Sequence, residues 1–233
     1  MNWLAIDTAT SRASVALGSS SADAREESLL GARQHAKSLI PMVERLLTAA
    51  GLTLDDVAGL VVADGPGSFT GLRVGAAFAK GLADTRGTAL RIAPSLAARA
   101  MTVAEPGTRV LAVTDALRGD VYVAGYRFTG ATLETVITPR VMKGDDLVVI
   151  ANGFDRVVGD VAPAHASELG DRYRGDPPPD ARALLDLRQL DGGTLAITDV
   201  HAWEPVYGRP AEAQAKWELD HGRALPGAAG AGG

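Results

Sequence analysis

The 233-residue chain contains no cysteine, few aromatic residues and no surplus of basic side chains. Without cysteine there is no disulfide, no thiol nucleophile and no thiolate metal site; the composition fits a reducing compartment, and the cytoplasm is the expected location. Aromatic residues make up only 5% of the chain, which leaves Ala, Val and Leu to fill the core. Lys and Arg number 23 against 28 Asp and Glu, a net charge of −5 with histidine neutral. Nonspecific nucleic-acid affinity rests on clustered cations, so this chain is not expected to hold RNA or DNA by itself. No window approaches the roughly 20 apolar residues of a membrane helix. Asp7 also breaks the first apolar run too early for a signal peptide. There is no His-x-x-x-His pair and no tight carboxylate cluster, so neither a metal site nor a cofactor is expected.

What is present reads as two lobes of alternating strands and helices. "NWLAIDT" (2–8), "ASVALGS" (13–19) and "DAREESLL" (23–30) are short runs with turn residues between them, the pattern of an antiparallel meander. "QHAKSLIPMVERLLTAA" (34–50) has helical length and stops at Gly51. Pro41 is expected to kink or restart it, placing its effective start near Ile40. Its apolar band is wider than one sheet-facing stripe, which leaves part of it for a second contact. "GLVVADG" (59–65) reads as a buried strand, followed by a glycine-rich loop and a helix ending at Gly87. "PGT" at 106–108 marks the lobe boundary, giving a first lobe of 1–106 and a second of 107–204 that again begins with strands. "PDARALLDLRQL" (179–190) is the clearest helix of the second lobe. A short helix over about 209–219 and a disordered Gly/Ala tail at 222–233 are expected at the end.

The loop "DGPGSFTGLRVG" (64–75) resembles a phosphate cradle at a helix start. Counted from Gly65, however, Thr70 stands where a Walker loop needs its second glycine, and no lysine follows. The dinucleotide fingerprint fails as well, because the third glycine is Gly71, one position late. Ser68 lacks the Gly-x-Ser-x-Gly elbow of a nucleophile, and a helix N-cap accounts for its hydroxyl. Interior helix glycines cost about 1 kcal/mol each relative to alanine. Gly71, Gly75 and Ala79 recur every four residues and make one helix face nearly free of side chains, open either to this chain's own neighbour or to another molecule. In "IDTATSRASVAL", Asp7, Thr8 and Thr10 occupy a strand end and the turn after it, and Asp115 in "DALRGDVYVAGY" is the second-lobe counterpart. In an actin-like nucleotidase such hairpins wrap phosphate and the Asp organises a metal. Here the usual glycine is missing, and Asp at strand ends also serves local turns.

"LAIDTATSRASVAL", "QHAKSLIPMVERLL", "GPGSFTGLRVG", "DALRGDVYVAGY" and "EPVYGRPAEAQAKWE", in this order and spacing from residue 3 to about 218, resemble the TsaB (YeaZ) family of bacterial tRNA threonylcarbamoyladenosine biosynthesis proteins. The resemblance implies an α/β, actin-like (ASKHA) fold of two ribonuclease-H-like lobes, with the C-terminal helix packing back on the first. It implies a scaffold without catalysis of its own, which keeps the threonylcarbamoyltransferase TsaD competent, is joined by the ATPase TsaE, meets tRNA only through the complex and forms homodimers when alone. The TsaD reaction moves a threonylcarbamoyl group from its adenylate to N6 of the adenosine following the anticodon. Family contacts run through the first two long helices, which places Leu39, Met42, Val43, Leu46, Leu72, Gly75, Phe78 and Ala79 at a partner interface. Asp7, Thr8, Thr10 and Asp115 are then vestiges of a nucleotide site. The alternative is an actin-like ATPase or kinase in which Asp7 and Asp115 still work.

Overall fold

The computed structural model describes residues 1–31 and 35–208. Aliphatic and β-branched runs build two sheets of related order. In the first, β1 (Asn2–Asp7), β2 (Arg12–Gly18) and β3 (Arg25–Leu30) form an antiparallel meander. β4 (Val57–Ala63) and β5 (Ala89–Ala93) then add in parallel beside β1. In the second sheet β6 (Arg109–Asp115), β7 (Asp120–Phe128) and β8 (Leu133–Lys143) are antiparallel, and β9 (Arg156–Gly159) pairs in parallel with β6. The orders, third-second-first-fourth-fifth and third-second-first-fourth, are those of two ribonuclease-H-like lobes, the actin-like arrangement the resemblance implied. β10 (Leu195–Ile197) pairs with β5 on the first sheet. The second lobe expected over 107–204 is therefore shorter, because the chain has already crossed back by Leu195.

Helices cover the outer faces and fill the gap between the sheets. α1 (His35–Ala50) and α2 (Phe69–Arg86) lie on the outer face of the first sheet, and α4 (Leu147–Ala151) and α5 (Pro163–Leu169) on that of the second. α3 (Ser95–Met101) and α6 (Arg182–Leu187) sit between the sheets in one apolar cluster that takes residues from both lobes. The helix read over 179–190 is thus an interlobe element rather than the property of one lobe. α1 runs through Pro41 without interruption. Proline removes the N–H that would reach the carbonyl of Lys37, and Lys37 lies on the exposed side, where water can serve that carbonyl instead.

The expected partner interface is corrected by the core. Leu39, Met42, Val43, Leu46, Leu72 and Ala79 are buried, and all but Leu72 belong to the cluster under α1 and α2 with Ile6, Val15, Leu60 and Val62. Leu72 points into the interlobe cluster, and Gly75 is buried too. The band on α1 is wide because the helix packs on both the sheet and α2. Turning the five larger side chains out to a partner would give up about 2 kcal/mol each, near the whole stability of an ordinary domain. Phe78 is the one residue of the eight that stays partly exposed. The small-residue face has the same explanation, since a Cβ on Gly75 would lie 2.5 Å from Thr8 Oγ1. What comes close is this chain's own first sheet, through the side chains of Thr8, Ile6 and Val62. The helix expected over 209–219 and the tail over 222–233 lie outside the described residues.

Gly75→Ala is therefore expected to destabilise by about 1–3 kcal/mol through overpacking, and Gly75→Leu to prevent folding. Thr8→Ala removes the facing oxygen, so Thr8→Ala/Gly75→Ala should recover much of the loss, read as non-additivity in urea melts.

Candidate functional site

The strand ends that would hold a nucleotide in this architecture are β1 and β4 in the first lobe and β6 in the second. Asp7 ends β1 and is buried, and its Oδ1 accepts the backbone N–H of Ala9 at 2.9 Å. Thr10 Oγ1 accepts the N–H of Arg12 at 3.1 Å. Thr8 is 1% exposed, with its hydroxyl directed at α2 and making no hydrogen bond. Asp115 ends β6 in solvent and its Oδ1 accepts the N–H of Leu117 at 2.9 Å, the local turn role. Asp7 and Thr10 share the cleft wall with Thr114, one residue before Asp115.

The glycine-rich loop closes this cleft from the first lobe. The N–H of Ser68 donates to the carbonyl of Ala9 at 2.6 Å, and a Cβ on Gly67 would lie 2.2 Å from that oxygen. Ser68 Oγ accepts the N–H of Gly71 at 3.3 Å and caps α2. Ser95 at the start of α3 holds the loop from the other side, with Gly65 N–H donating to its Oγ at 2.9 Å. The remaining cavity is about 20 Å³, bounded also by Arg99, Pro177, Pro178 and Asp180. That is room for about one water and far below the several hundred Å³ of ordinary ligand sites. Arg99 on α3, which lines this cavity, is ion-paired with Asp176. Asp160 is held above the usual carboxylate range by burial, and then by its neighbours Asp176 and Asp115.

A strap over 199–208, which the sequence did not announce, binds the loop to α2. Asp64, 9% exposed at the end of β4, accepts the indole N–H of Trp203 at 2.9 Å, and its backbone oxygen accepts Val206 N–H at 2.8 Å. Lys80 on α2 pairs with Glu204 at 2.8 Å and lies over the Trp203 ring, 5.7 Å from its centroid. Phe69 and Tyr207 meet with their rings tilted by 44° and centroids 4.6 Å apart. Gly65 has φ +103°, and a Cβ there would lie 2.1 Å from Val206 O, so this loop position needs glycine. "ADG" followed far downstream by "AWEPVY" was the available signal, but nothing in either stretch indicates that they meet.

An α/β protein of two ribonuclease-H-like lobes with a filled cleft is the class that fold and site define. The model of the TsaD family, tRNA N6-adenosine threonylcarbamoyltransferase, matches residues 29–172 of this chain, which belongs to that family. The Escherichia coli tRNA threonylcarbamoyladenosine biosynthesis protein TsaB is 39% identical over 155 residues, 61% of this chain and 64% of that protein, slightly under two thirds of its length. The Bacillus subtilis protein of the same name is 29% identical over 237 residues, covering 93% and 98%. A Pseudomonas aeruginosa crystal structure, described as an uncharacterized protein with similarity to peptidase YEAZ, superposes with a TM-score of 0.73 at 28% identity, covering 89% of this chain and 99% of that one. Within the wider family the chain is similar to these proteins named TsaB and to this YeaZ-like structure.

Burial pushes the Asp64 carboxyl up to about 6 against the opposing hydrogen bond from Trp203. A carboxyl whose folded pKa lies above its unfolded value contributes stability that is present below about pH 4 and lost as pH rises through about 6. Asp64→Asn keeps an acceptor for Trp203 without the charge. It is expected to be more stable than the parent by up to about 2–3 kcal/mol near pH 7.5, with the two converging near pH 4, measured by thermal melts across that range.

Proposed function

We propose that this chain is a non-catalytic partner subunit in the formation of N6-threonylcarbamoyladenosine in tRNA. In this reading it docks on its TsaD homologue through the outward faces of α1 and α2, a TsaE homologue joins the pair, and the lone chain forms a homodimer. It works in the cytoplasm and meets tRNA only inside the assembly. The observation that carries the absence of its own catalysis is the cleft, where the N–H groups of Ala9, Ser68 and Gly71 are already bonded within the chain and about 20 Å³ remains. A nucleotide would have to displace the glycine-rich loop from Ala9. The ATPase or kinase alternative has no comparable support. No helix among the described residues is long and apolar enough to cross a membrane.

The docking residues differ from those the sequence suggested. Ile40 on α1 is 55% exposed. On α2, Ala77 and Gly81 are exposed beside the partly exposed Phe78, and a Cβ on Gly81 would meet nothing within 4 Å. This pair of small residues, rather than Gly71, Gly75 and Ala79, lets another backbone approach from outside.

Gly81→Leu is expected to fold normally, because an exposed helix interior gains from losing glycine, up to about 1 kcal/mol. The same change should weaken binding to the TsaD homologue at least tenfold by titration calorimetry and slow threonylcarbamoylation of tRNA in the reconstituted system. Unchanged binding with an intact fold would remove the helix-face reading. Calorimetry of the isolated parent chain with Mg-ATP should show no micromolar binding, and tight binding lost in Asp7→Ala would replace the scaffold with an ATPase.

A further inference from the structure

Two half-buried cations stand at the seam between the first sheet and α6 without a counter-charge. Trp3 on β1, Gly59 on β4 and Arg91 on β5 lie on the inner face of the first sheet, the face that carries Ala5 and Val61 into the interlobe cluster. A Cβ on Gly59 would lie 2.5 Å from the Trp3 ring, so the missing side chain lets the indole lie down on the sheet. Arg188, directly after α6, covers that ring with its guanidinium 4.6 Å from the centroid. Its Nη2 donates to Ser19 O at 2.9 Å, while its Nε is buried with no hydrogen-bond partner. Arg91 is held by Thr194, with Nε donating to Oγ1 at 2.7 Å and Nη2 to the backbone oxygen at 3.2 Å. Nη1 of each arginine makes no hydrogen bond among the described residues and is not sealed from solvent.

Arg99, Arg156 and Arg182, also half-buried, each face a carboxylate, from Asp176, Glu105 and Asp180. Arg91 and Arg188 pair with none among the described residues; neutral carbonyl and hydroxyl oxygens hold them in place without offsetting their charge. Burial, and then the charge of Arg91, pull the Arg188 guanidinium below the usual arginine range. Arginine nevertheless stays protonated, so the repulsion persists. A partly buried charge is stable when paired, and an anion is what this arrangement lacks. Two planar forks from separate elements suit a tetrahedral oxyanion with two charges. An RNA backbone is disfavoured, because only two cations face the seam and the chain carries −5 overall. The place is separate from the glycine-rich loop, since Trp3 stands near the start of β1 and Asp7 at its end, about 13 Å along the strand.

We propose that Arg91 and Arg188 form a binding site for a dianionic phosphate group, free or carried by a small molecule, at the seam between the first sheet and α6. The full chain alone tests it, so the outcome does not depend on the partner-subunit reading. Inorganic phosphate, titrated against chloride at constant ionic strength, should saturably shift the Arg91 and Arg188 guanidinium and Trp3 indole signals in nitrogen–proton NMR spectra. Arg91→Gln and Arg188→Gln, made singly, should each weaken phosphate binding about tenfold or more. Each should also lose the phosphate-specific rise in melting temperature, keeping only the general stabilisation by an excluded salt. Competition by glycerol phosphate would place the group on an organic ligand, and its exclusion would identify free phosphate; either supports the site. Absence of a saturable shift in the parent, shifts centred on the glycine-rich loop, or unchanged affinity in both folded variants would each overturn it. So would tRNA binding at these arginines with none by phosphate. Should a variant fail to fold, the spectra of the parent still decide.

Discussion

The hydrogen bond from Ser68 N–H to the carbonyl of Ala9 is the contact on which the rest of the structure depends. It ties the loop after β4 to the turn after β1, the two segments that would otherwise face each other across a ligand. Glycine at 67 permits the approach, and glycine at 75 lets α2 settle onto Thr8 just behind it. An anion held at a helix start needs unengaged N–H groups. Here one is directed to Ala9 O and another to the cap at Ser68 Oγ, while Ala9 N–H is turned to Asp7. The features that resemble a phosphate loop are present, but their donors satisfy one another.

That closure is reinforced by how the lobes are joined. In a cleft enzyme that opens and shuts, the lobes would share a hinge and little else. Here α3 and α6 lie inside one buried cluster that includes Ala5 and Val61 from the first sheet and Ala112 and Tyr126 from the second. Ser14 on β2 accepts the N–H of Ala181 at the start of α6 at 2.8 Å, a buried polar link along the same seam. Separating the lobes would expose this cluster, at about 25 cal/mol for each Å² of apolar surface. The strap then crosses the loop and pins Asp64. Opening the cleft would therefore disturb both the shared core and the strap.

The meander strands and the runs "GLVVADG" and "DVYVAGYRF" were legible because each is short, apolar and bounded by turn residues, whereas the sheet order came only from the resemblance, and β9 and β10 were not read. Ser68 as a cap was legible for the same local reason. What failed was any inference about direction. Leu39, Met42, Val43 and Leu46 form a broad band whether a helix meets a sheet and a sister helix or a sheet and a stranger, and only the tertiary packing distinguishes the two. Gly75 and Gly81 lie six residues apart on one helix and look alike in the sequence, yet one faces Thr8 and the other faces water. Asp64 and Trp203 meet across 139 positions, and no local pattern encodes such a pairing.

That last contrast is also the strongest pointer to surfaces that work between molecules. Gly75 carries the usual helix penalty of glycine, about 1 kcal/mol, and the close approach of Thr8 explains it. Gly81 carries the same penalty with nothing within 4 Å to justify it. Leu117 and Arg118 also occupy a costly backbone region, but there the closure of the β6–β7 hairpin compensates, with Ala116 N–H donating to Asp120 O and Leu117 N–H to Asp115 Oδ1. A local cost with an internal compensation describes folding; a local cost without one locates a constraint outside the chain. In this protein the uncompensated backbone cost falls on the outer face of α2, at Gly81, while the hydrogen bonds of the glycine-rich loop are met from within.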